Sequence, residues 1–154
     1  MSQYASNTKV GRAQSLDEIE RTLMRYGATG FAYGWEGSVA MVQFQAAERR
    51  IRFLIQMPDR DSEEFTRTPS RGTPRSEDAA FREWDQACRQ RWRALALVVK
   101  AKLEAVSAGI TTFEEEFMAH IVLPNGRTVG QEALPGIAHA YETGQMQPLL
   151  PRLQ

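Results

Sequence analysis

The chain has 154 residues, which fits one domain, and its 42% hydrophobic and 25% charged residues can bury a core without disulfides or metals. No stretch nears the ~20 consecutive apolar residues of a membrane-spanning helix, the longest apolar run being Ala94–Val99. Net charge is zero at pH 7, which excludes a global pull toward nucleic acid or membrane, and a single cysteine, Cys88, excludes an internal disulfide.

The first fifteen residues, MSQYASNTKVGRAQS, are polar and have no apolar centre. They are expected to form a disordered arm over residues 1–14 rather than a secretory signal. The fold then begins at Ser15, which has the character of a helix cap. Asp17 and Glu18 follow in the first turn, Glu18 completes a capping box, and Gly27 is the stop. Leu16, Ile19, Leu23 and Tyr26 supply its apolar face.

Three strands follow, at Phe31–Trp35, Val39–Gln45 and Arg49–Met57, the first two joined at Glu36-Gly37. The third alternates cleanly, with Ile51, Phe53, Ile55 and Met57 on one face and Arg50, Arg52, Leu54 and Gln56 on the other. This is the pattern of an antiparallel meander with one core face and one mostly polar face. Residues 58–76, rich in Pro, Ser, Thr and Arg, are expected to be a long mobile loop.

The long helix is the most strongly specified element. Ser76 caps it, Glu77 and Asp78 occupy its first turn, and it runs to Ala108 with a stop at Gly109. Phe81, Trp84, Cys88, Trp92, Leu95, Val99, Leu103 and Val106 make a continuous apolar stripe at spacings of three and four. Cys88 lies on that stripe and reads as a small buried hydrophobe rather than a nucleophile. Thr111 and Thr112, each three residues before a Glu, start a further helix with a capping box, carrying Phe113, Phe117 and Ile121. Leu123–Gly126 is a turn, a last helix covers Glu132–Glu142 up to Gly144, and the tail MQPLLPRLQ docks on the body. The expected fold is therefore α+β: one helix and a three-stranded antiparallel meander packed on a long helix, with a helical C-terminal extension, all in one domain over 15–154.

Catalytic signatures are weak. Glu116 and His120 are four apart, close enough for a metal or proton-relay pair, but no second ligand pair has recognisable spacing. Glu114, Glu115 and Glu116 are explained by a helix N-terminus, and no glycine-rich phosphate loop or nucleophile elbow is present. The expectation is a non-enzymatic protein with no cofactor and no metal.

Charge distribution is more informative. Sixteen of the 19 basic residues are Arg, and thirteen of the 19 lie between Arg49 and Lys102. On the long helix Arg82, Arg89, Arg93 and Lys100 fall in one stripe beside the apolar one. The polar strand face adds Arg50 and Arg52 with Gln43 and Gln45, and the 58–76 segment adds Arg67, Arg71 and Arg75. Phe31, Tyr33 and Trp35 alternate along the first strand and are either core or an exposed aromatic row. Arginines beside aromatic rings are what single-stranded nucleic acid uses, cations for phosphates and rings for bases.

The order helix, three strands, loop and long helix resembles, in topology alone and over Ser15–Gly109, the single-strand annealing recombinases. In that family a β-β-β sheet backs onto a long helix, and oligomeric rings bind single-stranded DNA. The stretches Gly30–Gly37, Gln86–Glu104, Gly109–Phe117 and His120–Gly126 resemble small uncharacterised proteins of phages and prophages, which implies a mobile-element origin and a host-cell, cytoplasmic location. The expected function is binding of single-stranded DNA, in recombination, annealing or an accessory role. The alternative is a module that binds and modulates a host protein, since Trp35, Trp84 and Trp92 with many arginines suit an interface. A 33-residue helix spans about 50 Å, longer than a body of this size needs, so a homo-oligomer is expected as well.

Overall fold

The computed structural model describes residues 3–152. Chain order is α1 (Gln3–Arg25), β1 (Gly30–Glu36), β2 (Val39–Ala46), β3 (Arg49–Gln56), α2 (Glu63–Thr66), α3 (Glu77–Ser107), α4 (Phe113–Phe117), a 3₁₀ turn (Met118–His120) and α5 (Val129–Thr143). The architecture is α+β, with a meander of order β1-β2-β3 packed on the long helix α3.

The first helix corrects one expectation. It begins at Gln3, not Ser15, so the disordered arm expected over residues 1–14 is helical wherever it is described; residues 1 and 2 lie outside the described residues. Ser15 is buried in mid-helix instead of capping an end. The cause is tertiary: α1 lies along α3 closely enough that a Cβ on Gly11 would sit 2.4 Å from Cδ of Arg89. Glycine there lets the two helices touch, and α3 supports a segment whose own sequence carries no amphipathic signal.

The core has a single layer. Ile19 and Leu23 of α1, Val42 and Phe44 of β2, Ile51 and Phe53 of β3, and Trp92, Leu95, Val99 and Leu103 of α3 pack with Phe117. The face bearing Gln43, Gln45, Arg50, Arg52 and Leu54 points away from it. Register pairs Gln43 with Arg52 and Gln45 with Arg50. The two turns differ in chemistry. Gly37 takes φ +58° at no cost after β1, but Ala47 and Glu48 join β2 to β3 at φ +50° and +61°. Two left-handed residues in a two-residue hairpin turn are the geometry that Asn-Gly satisfies best. Ala47→Asn combined with Glu48→Gly is expected to raise stability by about 1 kcal/mol, read as a higher urea midpoint with an unchanged slope.

The outer edge of β3 is partly covered. Ile121 bridges Ile51, Val122 N–H donates to the Arg50 carbonyl (2.8 Å), and the Arg91 guanidinium donates to the Gln56 carbonyl (2.7 Å). On the other side, β1 has β2 as its one strand neighbour among the described residues.

The 58–76 segment is folded rather than a mobile loop. It holds α2, capped by Ser62, with Phe65 buried against α3, and Arg67 bridges Pro74. Its arginines do the tying. Arg67 donates to the Gly72 carbonyl (2.8 Å), and Arg75 donates to the carbonyls of Glu64 and Phe65 (3.1 Å each).

The long helix matches its expected bounds: Ser76 accepts from Ala79 N–H, and Gly109 takes φ +78° just past the end. The Thr112–Glu115 capping box is present, but α4 ends at Phe117, so Ile121 sits on the β3 edge instead of on a helix. The last helix starts earlier than expected, at Val129, because Thr128 and Gln131 form a second capping box. It is held loosely: of its side chains only Ala133 is buried, and Leu134, Ile137 and Tyr141 are exposed. The tail folds back far enough for Leu149 to meet Gly136; Leu153 and Gln154 lie outside the described residues. No helix among the described residues is long and apolar enough to cross a membrane.

Candidate nucleic-acid interface

The nine basic residues singled out from sequence do not form one surface. Arg50 and Arg52 are on the sheet face turned away from the core, whereas Arg82, Arg89, Arg93 and Lys100 are on α3, which packs on the opposite face. Several are occupied within the fold. Arg52 donates to Gln43 Oε1 (3.2 Å) and to the Gly126 carbonyl (2.8 Å), and Arg89 pairs with buried Asp85 (3.0 Å) where α1 crosses α3. Arg67 and Arg75 tie the α2 segment, as described above. Arg50, Arg71, Arg82, Arg93 and Lys100 are exposed. A polar cleft of about 530 Å³ runs between the β2–β3 turn and residues 122–126 and is lined by Arg49, Arg50 and Arg52. Arg49 is neutralised there by Glu114 at 2.8 Å, and no aromatic side chain lines the cleft.

The aromatics converge elsewhere. Phe31, Tyr33 and Trp35 share the core-side face of β1, as alternation requires. Phe31 and Tyr33 are partly buried against the core, but Trp35, further along the strand, is 67% exposed. The row is thus core at one end and surface at the other. Beyond Tyr33 the sheet and α3 diverge around an open cavity of about 690 Å³, lined by all three tryptophans of the chain, Trp35, Trp84 and Trp92. Tyr33 stacks on Trp35 (6.1 Å between centroids) and meets Trp92 edge-on (5.9 Å).

Two guanidinium groups lie on this aromatic wall. Arg12 of α1 stands 5.4 Å from the Tyr33 ring centre and 5.5 Å from that of Trp35. Arg60, following β3, stands 5.1 Å from the Phe81 ring and 5.8 Å from that of Trp84. Neither has an ion-pair partner among the described residues. Trp84 is anchored by its indole N–H, which donates to the Pro58 carbonyl at 2.9 Å. At the hairpin end, Gln56 Nε2 donates to Ser38 Oγ at 2.8 Å, and both residues line the cavity. Arg12, Arg60 and Trp84 were not singled out as a group from sequence. They come from three distant segments, and Arg12 fell in the presumed arm. The signal that did exist was the Tyr33/Trp35 alternation.

Cys88 also lines the cavity, and burial, followed by the nearby Asp85 charge, pushes its thiol up to about 11. It is a protonated thiol at neutral pH, without nucleophilic character. The Glu116–His120 pair is not assembled as a relay. The Glu116 carboxylate pairs with Lys102 (3.2 Å), and His120 stacks on Phe53 (4.1 Å). His139 is exposed on α5, and no cluster of three His, Cys, Asp or Glu suited to a metal ion occurs among the described residues.

Burial, and secondarily the Lys102 charge, lowers the His120 pKa from its ordinary 6.5. A depressed folded-state value means the neutral ring is favoured in the fold. Its stabilising contribution is complete above pH 6.5 and is lost as pH falls through the lower folded value. The urea midpoint is expected to fall on going from pH 7 to pH 5, and His120→Gln is expected to flatten that fall. An equal fall in both proteins would remove His120 as its source.

No protein-family model, curated protein or solved structure matches the chain.

Proposed function

We propose that the protein binds single-stranded nucleic acid, most simply DNA, and acts without catalysis or cofactor as a phage- or prophage-encoded cytoplasmic protein. One observation carries the reading: Arg12 stacked across Tyr33 and the exposed Trp35 at the mouth of the tryptophan-lined cavity. Base stacking on an aromatic ring contributes about 1–3 kcal/mol per base, and a guanidinium beside it supplies the phosphate contact. Arg71, Arg82, Arg93 and Lys100 are exposed and are the further candidates for phosphate contacts. Zero net charge supplies no global pull, so the reading rests on the local guanidinium groups of Arg12 and Arg60 beside the aromatic wall.

The test is fluorescence anisotropy of a labelled oligonucleotide at low and high salt. Binding at low salt that weakens steeply as salt rises is the expected result. No binding at low salt would sink the proposal.

The alternative reading, a module that binds a host protein or a second copy, is favoured by α5, whose Leu134, Ile137 and Tyr141 are exposed on a helix that buries only Ala133. Light scattering separates a monomer from a self-associated form. If Tyr141→Lys reduces neither the mass nor the retention of a nuclease-resistant partner, this reading fails.

A further inference from the structure

We infer that the cavity beneath Arg12 and Trp35 seats a single unpaired nucleotide unit, with its base against the tryptophan-lined wall and its phosphate toward Arg12 and Arg60. The inference rests on the nucleic-acid reading and goes further, assigning the unit of recognition and the groups that read it.

Three features support it. The size fits: about 690 Å³ lies within the ~300–1,000 Å³ of small-ligand sites. The wall is aromatic, and the charged side chains lining it are the Arg12 and Arg60 guanidinium groups against the single carboxylate of Asp59, an excess of positive charge that suits a ligand planar at one end and anionic at the other. A neutral aromatic would leave both guanidinium groups unused, and a bare phosphate would leave the rings unused. Finally, the hairpin end of the cavity has a polar rim, where Gln56 Nε2 donates to Ser38 Oγ, and the Trp84 indole N–H is committed to Pro58.

A paired base cannot present its edge to such a cavity without leaving its stack, at a cost of a few kcal/mol. The site therefore discriminates against duplex by exclusion, and deoxyribo- and ribonucleotides share the chemistry it reads.

Because every tryptophan of the chain lines the cavity, intrinsic emission excited at the red edge reports its occupancy. The full-length protein is titrated with dTMP, UMP, thymidine and inorganic phosphate, alongside oligonucleotide anisotropy. Saturable quenching by dTMP or UMP is expected, with thymidine and phosphate each at least tenfold weaker, and with dTMP displacing the oligonucleotide. The relative strength of dTMP and UMP assigns the site to DNA or RNA. Arg60→Ala, at an exposed position that leaves the core intact, is expected to bring dTMP binding down to the thymidine level. An oligonucleotide that binds without changing tryptophan emission would overturn the cavity assignment while leaving the nucleic-acid reading in place. No oligonucleotide binding at low salt would overturn both. Thymidine binding as tightly as dTMP would remove the arginines from the site.

Discussion

Phe117→Ala is expected to cost about 3–5 kcal/mol of folding stability, close to the whole margin of an ordinary small domain. The ring is completely buried. It meets Phe44 and Phe53 edge-on at 5.8 and 6.4 Å and Phe113 at 4.7 Å, and Lys102 Nζ lies 5.8 Å from its centre. Truncation removes three aromatic pairs, each worth about 0.5–1.5 kcal/mol beyond area, and opens a void where α4 closes the sheet against α3. Urea unfolding measures the loss, and Phe117→Leu, which refills most of the volume, keeps the comparison readable if the alanine variant fails to fold. A cost below about 1 kcal/mol would show that α4 is not part of the cooperative core.

Arg12→Ala is expected to weaken oligonucleotide binding about tenfold at low salt and to reduce the log–log salt slope by roughly 0.7, the increment for one phosphate contact on a single strand. The same change removes two cation–π contacts at a partly exposed site, so stability falls by only about 1 kcal/mol. Affinity and slope must move together. A weaker complex with an unchanged slope would mean that Arg12 acts through Trp35 and makes no phosphate contact.

The legible parts of the fold were those written in local chemistry. α3 has a serine cap, acids in its first turn, an apolar stripe and a glycine stop, all within one continuous segment. The meander was readable because β3 alternates, with Ile51, Phe53 and Ile55 on one face and a mostly polar row on the other. The Thr112 capping box was equally local. The front half of α1 was illegible because its helicity depends on α3, through a contact that Gly11 permits and no neighbour in sequence announces. The 58–76 segment misled for a related reason. Its Pro, Gly and Ser content argues for a loop, but Arg67 and Arg75 fold it by capping carbonyls. The same property of arginine blurred the site. A guanidinium that can hold a phosphate can equally hold a backbone carbonyl, as Arg52, Arg67, Arg75 and Arg91 do. Spacing along the chain does not separate the two uses. Tyr33 and Trp35 pointed to an aromatic surface, but the cavity they open needs Arg12, Arg60 and Trp84 from segments far apart in sequence.

The two edges of the sheet are unequally open. Val122 and Arg91 occupy the Arg50 and Gln56 carbonyls on the outer side of β3, so a strand from another chain meets an interrupted ladder there. β1 has β2 as its one strand neighbour among the described residues, so a strand added to its free edge would run beside Tyr33 and Trp35 and flank the aromatic row that Arg12 covers.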